Sequence, residues 1–481
     1  DSDGNLDTSF GGGDGIAQLG NITIGPNANG DDRLYAIVVD SEGNVFVAGD
    51  TEGSLGEANA GSNDIFVAKL TASGNLDTSF GGGDGIAQLG NVTIGAAASS
   101  LDTGRSVALD SLGNIYVGGR TGASLGEANA GNYDILVAKF NSAGLLDTSF
   151  GGGDGIAQLG NVTIGSGASG AEILSDIFID ENDNIFIGGS TYGSLGEANA
   201  GNYDAFVAKM DSDGALITAF GGGDGITQLG NVTIGANASG SNQIYALKLD
   251  ASGNIFITGR TLGDLGETSG GSYDAFLAKL DSTGALDTSF AGGDGIAQLG
   301  NTTVGGGASS FDYARDLHLD ASGNILIVGE TPGSMGEAVA GVNNDIYVAK
   351  FDSLGDLDTS FGGGDGILQL GNVTVGSPAT GLEIGMAITG DSSGNLFTTG
   401  YTNGSLGESS GGENDAYVVK LDSDGTLVSS FGGGDGIAQL GYNTVGGGAS
   451  GGNSLTNLVQ DASGNTFFVG TTEGSLGEAA G

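Results

Sequence analysis

The chain has 481 residues with 58 acidic against 12 basic side chains, a formal net charge of −46 that repels nucleic-acid phosphates and anionic lipid. Glycine supplies 100 residues and proline only 3, which excludes collagen, while a 38% apolar share in regular Val/Ile/Phe runs excludes disorder. With no cysteine there are no disulfides or thiolate metal sites, and no apolar run approaches the ~20 residues that cross a bilayer, so membrane insertion is not expected.

One stretch recurs. Phe80-Gly-Gly-Gly-Asp-Gly-Ile86 has counterparts starting at Phe10, Phe150, Phe220, Phe290, Phe361 and Phe431, a spacing of 70 residues with one single-residue slip before Phe361. A period of that size means a repeat architecture. From Asp32 onward, the run Leu34 to Val39 is nearly all apolar and short, which predicts a strand buried on both faces. Asp40-Ser-Glu-Gly-Asn44 is a turn signal, and Asn44 to Gly49 predicts a second strand, completing a hairpin. A polar, glycine-rich connection, Thr51 to Gly61, leads to a third strand at Asp64 to Lys69. After a turn at Thr71 to Asn75, the glycine run bends the chain into a fourth strand made of Ile86 to Leu89 and Val92 to Ile94.

Each repeat therefore reads as a four-stranded antiparallel meander without helix. Such units bury their faces most readily by radial closure, so the expected fold is all-β: one seven-bladed β-propeller domain spanning residues 1–481. The first, second and fourth strands occur seven times, but the third only at Asp64, Asp134, Asp204, Asp274, Asp345 and Asp415. Leu6 to Ile24 would then supply the fourth strand to a closing blade built from Leu455 to Val469 and completed by residues up to 481. Its missing third strand is expected from chain beyond Gly481 or from an edge strand of a neighbouring molecule.

Asp110-Ser-Leu-Gly-Asn-Ile-Tyr-Val-Gly-Gly-Arg-Thr121 and Asp204-Ala-Phe-Val-Ala-Lys-Met-Asp-Ser-Asp-Gly214 resemble the signature segments of the bacterial β-propeller repeat family, SBBP. Leu146-Asp-Thr-Ser-Phe150 with its glycine run is similar to a second bacterial repeat of large exported proteins. The resemblance implies a propeller in a secreted or cell-surface bacterial protein and carries over no catalytic residues. The long glycine corner and the following Asn-Val-Thr-Ile-Gly depart from the family pattern.

Candidate chemistry lies in recurring acids. Asp14, Asp84, Asp154, Asp224, Asp294, Asp365 and Asp435 sit in the glycine corners, where carboxylates and exposed carbonyls suit calcium; the competing reading is an Asp capping a tight turn. Glu57 with Asp64, Glu127 with Asp134, and Glu197 with Asp204 flank one loop in successive copies and could share a cation; the competing reading is an Asp that satisfies loop amides. Asn21, Asn91, Asn161, Asn231, Asn301 and Asn372 open Asn-X-Thr sequons, read here as turn asparagines. His318, the single histidine, falls in an apolar strand pattern, and no Ser has a plausible base, so no enzyme is expected. The leading expectation is an extracellular structural or adhesive protein that associates with itself or with other surface proteins through edge-strand or calcium-bridged contacts. The alternative is a glycan-binding propeller, through Tyr133, Tyr203 and Tyr273, or a carbohydrate-active enzyme, with a polysaccharide as partner.

Overall fold

In the computed structural model, the described residues are 1–19, 30–59, 61–90, 101–125, 128–129, 132–159, 170–195, 198–199, 201–229, 240–265, 269, 272–299, 311–335, 344–370, 381–406, 414–440 and 452–473. The first sheet contains β1 (Asp32–Val39), β2 (Val45–Thr51), β3 (Asp64–Leu70) and β4 (Ile86–Gln88). The second contains β5 (Asp102–Leu109), β6 (Ile115–Thr121), β7 (Asp134–Phe140) and β8 (Ile156–Leu159). The third contains β9 (Glu172–Ile179), β10 (Ile185–Thr191), β11 (Asp204–Met210) and β12 (Ile226–Gln228). The fourth contains β13 (Asn242–Leu249), β14 (Ile255–Thr261), β15 (Asp274–Leu280) and β16 (Ile296–Gln298). The fifth contains β17 (Tyr313–Leu319), β18 (Ile325–Thr331), β19 (Asp345–Phe351) and β20 (Ile367–Gln369). The sixth contains β21 (Glu383–Gly390), β22 (Leu396–Thr402), β23 (Asp415–Leu421) and β24 (Ile437–Leu440). In each, the strands neighbour one another in chain order.

The expectation of seven four-stranded blades is corrected. Among the described residues six sheets have four strands, and the seventh copy forms a two-stranded sheet, β25 (Asn453–Gln460) with β26 (Thr466–Thr472). The reason is the order of pairing. A fourth strand is only three or four residues long and bonds to the third strand alone. The 481 residues contain no seventh copy of the third-strand sequence, and Ile16 to Leu19 form no strand among the described residues. The proposed second part of the fourth strand, Val92 to Ile94, lies outside the described residues.

The local chemistry explains why the repeat folds this way. Asp40 Oδ1 accepts the amides of Glu42 and Asn44 at 2.9 and 2.8 Å, and Asn44 Nδ2 donates to Asp40 Oδ2 at 2.8 Å, which closes the first hairpin. At the glycine corner the Phe80 carbonyl accepts both Gly83 and Gly85 amides, and Gly81 runs at φ 65° where an added Cβ would meet the Ile86 carbonyl oxygen at 2.1 Å. Phe80 itself is 1% exposed and stands edge-on to Phe46 with ring centroids 6.0 Å apart.

By its contacts the chain divides into two compact units. The first holds Thr8–Leu249 with Ser282–Ala285, and the second Asp1–Asp7, Asp250–Asp281 and Leu286–Gly477. Within the first, Ala48, Ile65 and Val67 of one sheet pack against Val107, Ile115 and Val117 of the next. Within the second, Val328, Ile346 and Val348 pack against Ile388, Leu396 and Val419 in the same way. Sheet faces in contact thus form the cores, as expected for antiparallel units with two apolar faces.

Candidate functional site

The strand registers sort the basic residues by position. Six of the seven lysines occupy one place near the end of the third strand: Lys69, Lys139, Lys209, Lys279, Lys350 and Lys420. Four of them pair with the Asp eight residues on, as in Lys69 to Asp77 at 3.0 Å and Lys279 to Asp287 at 2.9 Å. Ser79 and Lys69 hold Asp77 down to about 2, and Ser289 and Lys279 do the same for Asp287. Since Phe46 pairs with Lys69 and Asp50 with Ile65, the opposite end of the sheet carries residues near 33, 50 and 63. All five arginines, Arg33, Arg105, Arg120, Arg260 and Arg315, map to that end.

Three registers build it. The first is a β-bulge in the first strand of the sheet, where the ladder skips Tyr35, Arg105, Ser175, Arg315, Met386 and Thr456 in the first, second, third, fifth, sixth and seventh copies. A bulge re-aims the side chain it carries. The second is the residue before the last threonine of the second strand: Asp50, Arg120, Ser190, Arg260, Glu330, Tyr401 and Thr471. The third precedes the opening Asp of the third strand: Asn63, Tyr133, Tyr203, Tyr273, Asn344 and Asn414. Their flanking Thr and Asp are the same in every copy, whereas these positions differ from copy to copy. Framework is thus separated from variation.

In the first unit Arg105 lies over the Tyr35 ring at 4.2 Å, and Arg120 over Tyr133 at 4.7 Å. Tyr192 and Tyr203 stand with centroids 4.1 Å apart, Tyr192 being 47% exposed. Arg33 reaches Asp31 at 3.1 Å and Asp50 at 3.9 Å, and Asn63 donates to Asp50 at 3.1 Å. Burial raises the Asp50 carboxyl, opposed by Asn63 and the nearby arginines. In the second unit Arg260 stacks on Tyr273 at 4.2 Å and on Tyr313 at 4.8 Å, and Phe311, 50% exposed, lies 6.1 Å from Tyr273. Arg315 forks onto the buried Glu330, its Nε 3.1 Å from both carboxylate oxygens.

The acids singled out from sequence have other places. Asp14, Asp84, Asp154, Asp224, Asp294, Asp365 and Asp435 each accept the amide two residues ahead at 2.9 to 3.0 Å, so one oxygen of each serves the glycine corner. Asp64, Asp134 and Asp204 are fully buried and take a hydrogen bond from Gln88, Gln158 and Gln228 at 2.9, 2.8 and 2.8 Å. Glu57 accepts the Gly90 amide at 2.6 Å; Glu127 and Glu197 lie outside the described residues, as do the six sequon asparagines. Among the described residues no three His, Cys, Asp or Glu side chains gather in a way that could hold a metal ion. His318 is half-buried in β17, and a Cβ on Gly390 would meet its Nε2 at 2.5 Å. Tyr133, Tyr203 and Tyr273 do come to one register, beside arginines the sequence reading had not singled out. The signal was there: positions that vary between otherwise repeated copies.

Two family models match the chain. The β-propeller repeat SBBP covers residues 14–57 and 84–127, and the domain of unknown function DUF5122, also a β-propeller, covers residues 42–80, 113–150 and 265–290. No curated protein matches. Among solved structures, the polysaccharide lyase Uly1 is 11% identical over 95% of this chain and 89% of its own, with a TM-score of 0.47. A PL25 ulvan lyase is 12% identical over 84% and 81%, with a TM-score of 0.41. The extracellular domains 1-2 of Drosophila Semaphorin 1b are 10% identical over 92% and 83%, with a TM-score of 0.40. Two of these three are polysaccharide lyases, so the expectation of no enzyme is corrected: propellers of this fold include enzymes, and the fold gives no ground for excluding activity. The likeness shows the fold and nothing of activity. No helix among the described residues is long and apolar enough to cross a membrane.

Proposed function

Because the chain is built from β-propeller repeats, we propose that it works as a polysaccharide-binding propeller outside the cell, through the aromatic and arginine-bearing ends of its sheets. The observation that carries this reading is the exposure of stacked aromatics where the copies differ: Tyr192 against Tyr203 in the first unit, Phe311 against Tyr273 in the second. A tyrosine ring offers a flat apolar face for the C–H face of a sugar and a hydroxyl for its polar rim. Exposed aromatics flanked by a few convergent polar groups are the usual composition of a small-molecule or glycan site. The same ends carry Arg120 over the Tyr133 ring and Arg260 over the Tyr273 ring. This reading replaces adhesion as the leading one, since it rests on placed side chains.

Electrophoresis of the full chain through gels containing neutral or acidic polysaccharides tests it. At least one polymer should retard the protein, and Tyr203→Ala with Tyr273→Ala should weaken that retention roughly tenfold, the loss of ~1–2 kcal/mol expected of a stacking hot spot. Unretarded migration in every polymer would overturn the proposal.

A further inference from the structure

Among the basic residues of the first unit, Arg33 and its neighbours Asp31 and Asp50 form ion pairs. Arg105 and Arg120 do not. Among the described residues neither has a carboxylate within 4.0 Å, although the chain holds 58 acids. Arg120 Nε is buried and lacks a hydrogen-bond partner. The two guanidinium groups sit close enough to repel: Arg120 follows Gly119, which pairs with Gly104, and Arg105 is the bulge residue just beyond. Burial and then the Arg105 charge lower the Arg120 pKa. Tyr35 lies under one guanidinium and Tyr133 under the other, and Tyr203 acts electrostatically on Arg120 as well.

Two like charges side by side, one with a buried donor unused, are unfavourable unless something anionic joins them. We propose that the polysaccharide bound here is an acidic one, with a carboxylate or sulfate of a sugar unit bridging Arg105 and Arg120 while Tyr133 and Tyr203 take the faces of the adjoining rings. Arginine suits this task because its planar fork meets a carboxylate or sulfate through paired N–H donors. The overall charge of −46 opposes a polyanion at long range, but at ~0.15 M salt that field decays within about 8 Å. A densely charged nucleic acid meets more of the repulsion than a sugar chain whose charges are spaced by whole rings.

The inference rests on the polysaccharide reading, and calorimetric titration of the full chain separates the two. The probes are polygalacturonate, its methyl-esterified form, dextran sulfate, dextran and single-stranded DNA, all at physiological salt. Binding of polygalacturonate or dextran sulfate, with methyl-esterified pectin and dextran at least about tenfold weaker, is the expected result, and which of the two binds distinguishes carboxylate from sulfate. Arg105→Gln with Arg120→Gln should reduce acidic-polymer affinity about tenfold or more, and Arg105→Lys with Arg120→Lys, which keeps the charge and loses the fork, should fall between. Equal binding of neutral and acidic polymers overturns the inference and leaves polysaccharide binding standing; no binding to any sugar polymer overturns both. DNA binding as tight as polygalacturonate, or acidic-polymer affinity unchanged in the glutamine variant, also overturns it. Circular dichroism identifies a glutamine variant that has failed to fold, in which case the lysine variant carries the comparison: affinity unchanged in it overturns the role of the fork.

Discussion

Glu172, Asp312 and Glu383 show how one residue can make a repeat sensitive to pH. Each stands at the start of the first strand of its sheet, Glu172 and Glu383 as its first residue and Asp312 just before it, and accepts the hydroxyl of the threonine that closes the second, at 3.1, 2.6 and 3.2 Å. Burial, and more weakly the third-strand Asp of a neighbouring copy, pushes Glu172 up to about 8 and Asp312 and Glu383 up to about 7. A carboxyl whose folded pKa lies above its unfolded value keeps a proton that the unfolded chain has lost. Stability therefore falls as pH rises from the unfolded pKa through the folded one. Urea unfolding should give a lower midpoint at pH 8 than at pH 5, and Glu172→Gln should shrink that difference; a midpoint independent of pH would contradict these protonation states. At other copies the register holds Asn242 and Asn453, and Asn453 accepts the Thr472 hydroxyl at 2.6 Å without a charge. The acids that drew notice in the sequence were the evenly repeated ones, and even repetition marks framework. Arg105, Arg120 and Tyr203 were legible only as departures from the repeat, a signal that counting recurrent motifs discards.

At the scale of the element, the strands read well from sequence because each is bounded by turn chemistry that acts locally. Strands expected at 34–39, 44–49 and 64–69 appear as Asp32–Val39, Val45–Thr51 and Asp64–Leu70. The fourth strand read less well, since three residues next to a glycine corner owe their strand conformation to a partner far along the chain. The corner supplies a sharp test. Its first glycine runs at φ 64° to 66° in six copies, and Ala291 holds the same left-handed conformation at φ 53° in the remaining one. An L side chain there costs about 1 kcal/mol, more than the chain entropy it removes from the unfolded state. Ala291→Gly should raise stability by about 1 kcal/mol or slightly less in denaturant unfolding, while Gly81→Ala should lower it by more, because a Cβ there faces the Ile86 carbonyl directly. A destabilised Ala291→Gly variant would mean that the alanine methyl is needed for packing.

For the whole molecule, the number of copies and the number of complete sheets are different quantities, and the difference lies in what closes each corner. In the first unit the corner amides of Gly11, Gly81, Gly151 and Gly221 donate to the carbonyls of Ser73, Ala143, Asp213 and Thr283, each in the turn after the third strand of the next copy. In the second unit Ala291 and Gly362 do the same with Leu354 and Asp424. The Gly432 amide donates to the Asp3 carbonyl at 3.0 Å. Asp1-Ser-Asp-Gly4 thus stands in for that turn: Lys420 Nζ reaches the Ser2 carbonyl at 3.3 Å, as Lys350 reaches Ser423 at 3.2 Å. Leu6 packs beside Phe431, Leu455 and Leu458. A resemblance between Asp1 to Asp7 and the later turns was visible in the sequence, but its docking place depends on the sixth sheet, more than 400 residues away, as the separation of Ser2 and Lys420 by 418 positions shows. Removing residues 1–7 should therefore destabilise the second unit. The loss is about 1–3 kcal/mol, from one backbone hydrogen bond and the partial burial of one leucine. Hydrogen exchange should locate it, with faster exchange at Gly432 and in β24 and β25 than in β17 to β20; uniform protection in the truncated chain would show that the N-terminal turn contributes nothing to this corner.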